Sequence, residues 1–307
     1  ARLGAEPTGW KDALMSRTEK LPFLKMHGLG NDFIVLDGRD GSPMPDAVQM
    51  QALAHRHLGI GCDQLMVLMP PVDGVDVVLD MFNADGSVAG ACGNGTRCVA
   101  ELIMAERNTD KVVIRTISGD LPAWRTDKDA PISVQMGPVY TSWQDIPLTR
   151  DMDTLFLDLG LADFGSATAL SVGNPHAVFF VEDAEAVDIE KWGPIAEQHP
   201  IFADRANIEF VSVIARDTIR MRVWERGVGV TMACGSGACA AAAAGILRGL
   251  TTHKQQVQLD GGILEIDWQD ADSAAGGQII MTGAVATIAN GIIPAAFFAA
   301  SDRGRLI

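Results

Sequence analysis

Ala91-Cys92-Gly93-Asn94-Gly95 and Ala233-Cys234-Gly235-Ser236-Gly237 are two copies of one phrase. Each follows an apolar, β-branched run and opens an alanine-rich apolar segment. The context upstream repeats as well. Asn83 stands nine places before Cys92, and Glu225 stands nine places before Cys234, each at the end of a strand-like run. A repeated order of strand, glycine-rich loop, Cys-Gly-x-Gly and helix predicts two similar half-molecules. A helix start offers unpaired N–H groups and a partial positive charge, which favour a thiolate and can also hold a carboxylate. Two such sites predict two thiols facing one small molecule from opposite sides.

The 307 residues allow two domains of ordinary size. A net charge of −15 argues against nucleic acid and anionic membranes as partners. No apolar run has the length and continuity of a transmembrane helix; the most apolar one, 232–247, reads as a buried helix. The five cysteines Cys62, Cys92, Cys98, Cys234 and Cys239 form an odd set with no secretory pattern before them, which predicts reduced thiols and a cytoplasmic protein. Their spacing does not match zinc ligand pairs, so no metal is expected. Cys98 and Cys239 read as core residues inside helices, and Cys62 as inert. His27 reads as a loop-structuring residue, and His55, His57, His199 and His253 as surface or helix-end residues.

In chain order, strands are predicted at 21–26, 33–36 and 65–69, with a helix from Pro45-Asp46 through Leu58. The first cysteine helix is predicted to end near Arg107, followed by strands at 111–117 and 132–136. The second half reads as strands at 169–172 and 177–181, a helix over 189–199 interrupted near Gly193-Pro194, and a hairpin of 208–214 with 218–224. Strands near 257–259, 263–268 and 278–281 follow the second cysteine helix, then a final strand over 282–293 and a short helix over 294–300. Strands dominate with one long helix per half, an α+β pattern. The domain reading is an N-terminal extension over 1–20, expected to be flexible, a first lobe of 21–136 with 282–293, a second lobe of 137–281 and a C-terminal tail helix over 294–307.

From Leu21 to Ile293 the chain resembles the diaminopimelate epimerase family of cofactor-independent, two-cysteine enzymes. The phrases that carry the resemblance are Lys25-Met26-His27-Gly28-Leu29-Gly30-Asn31-Asp32-Phe33, Asp63-Gln64, Phe82-Asn83-Ala84-Asp85-Gly86-Ser87, Gly173-Asn174-Pro175-His176, Glu225-Arg226-Gly227 and the two Cys-Gly-x-Gly segments. The resemblance implies two pseudo-symmetric lobes, each a strongly curved antiparallel or mixed sheet around a central helix, with the site in the cleft between them. It implies interconversion of LL- and meso-diaminopimelate, for lysine and peptidoglycan precursors, without a cofactor. It implies that Cys92 and Cys234 exchange the proton and that His176 and Glu225 tune the thiols. Asn31, Gln64, Asn83, Gly93, Asn94, Asn174, Asn207, Glu225, Arg226, Gly235 and Ser236 would bind substrate, with Arg226 suited to a distal carboxylate. Two positions depart from the family pattern: Val230 stands where an acidic residue is usual, and Ala289 where a tyrosine linked to dimer contact is usual. A homodimer is implied on those terms. The residues alone also fit a racemase of another amino acid, such as histidine or hydroxyproline, or a thiol redox or metal-binding protein.

Overall fold

A computed structural model describes residues 20–90, 92–271 and 276–301. The N-terminal extension, apart from Lys20, and the last six residues of the tail lie outside the described residues. The first half runs β1 (Lys20–Gly28), β2 (Asn31–Asp37), α1 (Ala47–Ala54), β3 (Gln64–Met69), β4 (Val77–Asn83), α2 (Gly93–Arg107), β5 (Lys111–Thr116), β6 (Gly119–Trp124) and β7 (Ile132–Gly137). There follow β8 (Thr168–Ser171), β9 (Pro175–Phe180), α3 (Ile189–Glu197), β10 (Asn207–Ala215), β11 (Thr218–Glu225), β12 (Gly229–Val230) and α4 (Gly235–Leu247). The chain ends with β13 (Lys254–Leu259), β14 (Gly262–Gln269), β15 (Gln278–Gly283), β16 (Ala286–Pro294) and α5 (Ala295–Ser301).

The internal repeat extends to topology. In the first half, β2 and β3 pair in parallel across α1, and β4 and β5 pair in parallel across α2. In the second, β9 and β10 pair in parallel across α3, and β11 and β13 across α4. Each cysteine helix therefore occupies the same crossover in its own half. The strands form one hydrogen-bonded path, from β16 through β1 to β7, then across to β15, β14, β13, β11, β10, β9 and β8, with β12 on β11. The step from one half to the other is the antiparallel pair β7–β15.

Each half curls around its own helix. Val99, Ala100, Ile103 and Met104 of α2 are buried against Met26, Phe33, Met66, Leu79, Ile114 and Val134. Ala238 to Ala244 of α4 are buried on all sides among Leu170, Val178, Val211, Met221, Val257 and Ile266. A helix apolar around its whole circumference belongs inside a fold, and methyl side chains let the sheet wrap it closely. The 232–247 run is thus a buried core helix from Gly235 onward, and no helix among the described residues is long and apolar enough to cross a membrane.

Four local expectations are corrected. The helix α1 ends at Ala54 rather than Leu58, because the ring nitrogen of His55 accepts from the N–H groups of His57 and Leu58 and turns the chain. The strand β6, not foreseen, contains Pro122; its neighbour β7 pairs only with Ala123 and Trp124, so the missing N–H costs no ladder bond there. Helix α3 runs through Gly193-Pro194 unbroken. A Cβ at Gly193 would lie 2.5 Å from Trp224 Cγ, so glycine permits the close helix–sheet contact that holds this helix in place. The strand foreseen over 282–293 is two: β15 ends at Gly283 and β16 starts at Ala286.

Candidate active site

Cys92 and Cys234 are the N-cap residues of α2 and α4, in extended conformation. Each sulfur accepts from the N–H three residues on, Gly95 at 3.3 Å and Gly237 at 3.4 Å. Cysteine thus takes the place that serine or aspartate takes in an ordinary N-cap. The first-turn N–H groups of Gly93, Asn94, Gly235 and Ser236 have no carbonyl within their helices to bond. Both cysteines line one cavity of about 700 Å³, shared by the two halves. A separate apolar groove of about 380 Å³, beside Leu21, Met44 and Ile293, holds no thiol.

Most of the residues implied for the site line this cavity: Asn31, Gln64, Asn83, Cys92, Gly93, Asn94, Glu225, Arg226, Cys234, Gly235 and Ser236. The strands deliver them at their ends. Gln64 opens β3 and Asn83 closes β4; they face each other across the ladder, with Gln64 Nε2 donating to Asn83 Oδ1 at 3.1 Å. Asn31 opens β2, held by Asp63, whose carboxylate accepts from its Nδ2 at 2.8 Å. Asn174, His176 and Asn207 do not line this cavity, but two of them bond to residues that do. Asn207 Oδ1 accepts from Arg226 N–H, fixing the start of the Glu225–Gly227 turn. Asn174 Nδ2 donates to Ser236 Oγ at 3.3 Å.

Asn94 connects the halves. Its buried amide donates to Asn31 Oδ1 at 3.2 Å and to the Ala233 carbonyl at 3.0 Å, while its own oxygen accepts from Arg97 Nη2 at 2.9 Å. Sequence reading passed over Arg97, which is wholly buried and, among the described residues, otherwise bonds only the Met281 sulfur. It also passed over Glu209, Arg56, Arg205 and Thr231. Glu209 is buried beside His176, at 2.6 Å. Arg56 and Arg205 line the cavity, paired with Asp63 and Glu197 respectively. Thr231 Oγ1 donates to Glu225. Arg226 pairs with Asp204 at 3.0 Å.

Electrostatics oppose a simple picture of a helix-activated thiolate. Burial pushes the Cys92 thiol up to about 12, more than the Gly95 N–H and the Arg97 charge pull it down. Cys234 is raised well above the usual thiol value, by burial and then by the carboxylates of Glu225 and Glu209. Burial also raises Glu225 above the usual carboxylate range, against hydrogen bonds from Thr231 and Cys234. The N–H groups of the helix starts pull both thiols down, as expected of such a position, but desolvation is the larger effect. Val230, the departure from the family pattern, is exposed on β12 opposite Trp224. Ala289 is likewise exposed, on β16.

His27 Nδ1 accepts from Gly30 N–H within its loop. Cys98 and Cys239 are core residues; Cys62 is buried, although it touches the cavity edge. Among the described residues, no group of three or more His, Cys, Asp or Glu is placed to hold a metal ion.

The profile described as diaminopimelate epimerase matches residues 23–142 and 168–288. The chain is 48% identical over 271 residues to the diaminopimelate epimerase of Rhodospirillum centenum, covering 88% of this chain and 91% of that one. It is 46% identical over 279 residues to that of Acidiphilium cryptum, covering 91% and 98%. A solved structure of a probable proline racemase from Agrobacterium radiobacter shares the fold, with a TM-score of 0.67 at 15% identity over 88% of this chain and 92% of that one. The match takes in both cysteine helices and all the strands that carry the cavity, and the chain belongs to the diaminopimelate epimerase family.

Proposed function

We propose that the protein interconverts LL- and meso-diaminopimelate by moving the α-proton between Cys92 and Cys234. The observation that carries this reading is the single cavity onto which two repeated N-cap cysteines open from opposite halves. One sulfur, as thiolate, takes the α-proton from one face of the substrate. The electron pair left on carbon delocalises into the α-carboxylate. The other sulfur, as thiol, gives its proton to the opposite face. The reaction ends with thiol and thiolate exchanged, so the reverse direction uses the same two groups.

The α-carboxylate sits at the paired helix starts, where the N–H groups of Gly93, Asn94, Gly235 and Ser236 meet charge as it develops. Losing one such donor costs roughly 3–4 kcal/mol in comparable sites. The substrate itself eases the ionisation that burial resists: its α-ammonium brings a positive charge beside the thiolate. Arg226 takes the distal carboxylate in exchange for Asp204, and Asn31, Gln64 and Asn83 take the distal amino group and the chain between. The compartment is cytoplasmic in this reading.

The test is proton exchange in heavy water, followed by NMR with no cofactor added. LL-diaminopimelate is expected to lose its α-proton signal and to yield the meso form. Absence of exchange, or faster exchange of proline, hydroxyproline or histidine, overturns the substrate assignment.

A further inference from the structure

Glu209 is a buried carboxylate in an otherwise apolar strand segment, Ile208-Glu209-Phe210-Val211. A charge in such a place is costly unless it is paired. Among the described residues only one of its oxygens has a partner, and Oε2 has none. The partner of Oε1 is His176 Nδ1, at 2.6 Å, on the neighbouring strand β9. The other ring nitrogen of His176 lies 2.9 Å from Asn174 Oδ1. Asn174 Nδ2 donates to Ser236 Oγ, and Ser236 Oγ lies 3.5 Å from Cys234 Sγ. Gly237 makes this possible: a Cβ there would lie 2.9 Å from Glu209 Oε1 and 3.3 Å from Cys234 Sγ. The carboxylate and the thiol thus flank the same bare point on the first turn of α4.

We infer that Glu209 is a positioning residue for Cys234, acting through His176, Asn174 and Ser236 to aim the serine hydroxyl at the sulfur. The inference rests on the reading above that Cys234 carries one of the transferred protons. The direction of each hydrogen bond follows from the donor inventory. Asn174 Oδ1 can only accept, so His176 Nε2 carries a hydrogen. Asn174 Nδ2 can only donate, so Ser236 Oγ accepts there and its own hydrogen is free for the sulfur. The contact between Nδ1 and Oε1 then holds one shared proton, and the His176–Glu209 pair is neutral overall whichever atom holds it. Burial of the carboxyl, which raises it above its usual range against the pull of His176, agrees with a neutral pair. Without a partner at Nδ1, neutral imidazole can place its hydrogen there instead. Asn174 then turns over to donate to Nε2, its oxygen captures the Ser236 hydroxyl, and the Cys234 thiolate loses a donor.

The groups that bear on Cys234 are Glu225 on β11 and Glu209 on β10. In turn His176 bears on Glu209, and Asp63 and Glu209 bear on Glu225. These give the test a sign. If Glu209 acted only as a negative charge, removing it would make Cys234 ionise more easily. If it acts by positioning, removing it makes Cys234 ionise less easily.

The experiment compares Glu209→Leu and Glu209→Gln with the wild-type chain. Alkylation by iodoacetamide across a pH series is read separately for Cys92 and Cys234 by peptide mass spectrometry. Glu209→Leu is expected to move the Cys234 midpoint to higher pH, to leave the Cys92 midpoint in place, and to lower kcat at least roughly tenfold with KM little changed. Glu209→Gln, whose amide can donate to Nδ1, is expected to restore most of the wild-type profile. A Cys234 midpoint that is unchanged or lower in Glu209→Leu overturns the inference. So does an equal shift at Cys92. A second measurement needs no variant at Glu209: nitrogen-15 NMR of the wild-type histidines, with His176 assigned by the loss of its signals in His176→Gln. A hydrogen on Nε2 of His176 is expected; a ring bare at Nε2 overturns the inference. Neither the alkylation midpoints nor the NMR signals use substrate, so their outcome is separate from that of the heavy-water exchange that tests the epimerase reading.

Discussion

Asn94 Nδ2 lies 3.0 Å from the carbonyl oxygen of Ala233, the residue just before Cys234. The side chain next but one to the first cysteine thus grips the backbone that delivers the second. The two thiols are held in register by a direct bond between the two copies of the repeated phrase, not only by the sheet that carries them. Asn94→Asp should expose the worth of that bond. It replaces a donor with a carboxylate aimed at two acceptors, Asn31 Oδ1 and the Ala233 carbonyl. A loss of roughly 1–3 kcal/mol in stability is expected for buried groups left unpaired. A large fall in kcat should accompany it. Thermal melts and epimerase assays on the same preparation check both.

Cys92→Ser and Cys234→Ser should each abolish epimerisation while leaving the fold in place, because a hydroxyl can still accept from Gly95 or Gly237 as an N-cap. Wild-type turnover in either variant would sink the two-base mechanism. Because the thiols open on one cavity, mild oxidant should join Cys92 to Cys234 and stop activity, with recovery in dithiothreitol. Mass spectrometry of non-reduced peptides reports the link.

Gly261 guards the loop that presents Asn31. A Cβ at this position would lie 1.8 Å from the Leu29 carbonyl oxygen, and backbone cannot swing aside as a side-chain tip can. Its N–H also donates to the Met232 carbonyl at 2.8 Å. Gly261→Ala should therefore push the 27–31 loop and the approach to Cys234 together. The expected results are a lower melting temperature, by overpacking worth about 1–3 kcal/mol, and a lower kcat/KM. Wild-type values for both would show that the loop has slack that the geometry denies.

Stability should fall at both ends of the pH scale. Asp32 is lowered from 3.8 to about 2: burial raises it, and Arg56 and Lys25 together outweigh that. Between those values the unfolded chain holds more protons than the folded one, so this contribution is lost as pH falls from about 4 to about 2. Buried Cys62, Cys98 and Cys239 are pushed up to about 12. There the folded chain holds more protons, and stability is lost as pH rises from about 9 to about 12. Melting curves from pH 2 to 11 test both limbs, and Asp32→Asn should flatten the acid one.

The repeated cysteine phrase was legible because its spacing and its strand-end neighbours recur, and spacing survives translation into structure. Glu225 and Asn83 were readable for the same reason. Glu209 was not. In Ile-Glu-Phe-Val a lone glutamate reads as the wet side of a half-buried strand, and only the parallel neighbour β9, bringing His176 alongside, gives it a dry setting. Arg97 hid in the same way, as one of several polar residues in a helix whose first two turns are buried by strands far off in the chain. Asn174, His176 and Asn207 were read as members of the site, but their distance from its wall depends on how far the sheet curls. Pro122 masked β6, because a proline argues against a strand until it is known which side its neighbour takes.

The antiparallel pair β7–β15 has a mechanical consequence. It stitches two half-barrels into an unbroken ribbon, with Ser133 and Thr282 bonded across the stitch at 2.8 Å and a register slip at Ile279/Ile280. Halves sewn along a common hem cannot be pulled apart like shells on a thread. Any tightening of the cavity around a bound molecule must then come as a shear or twist along that hem, not as a hinge between free lobes.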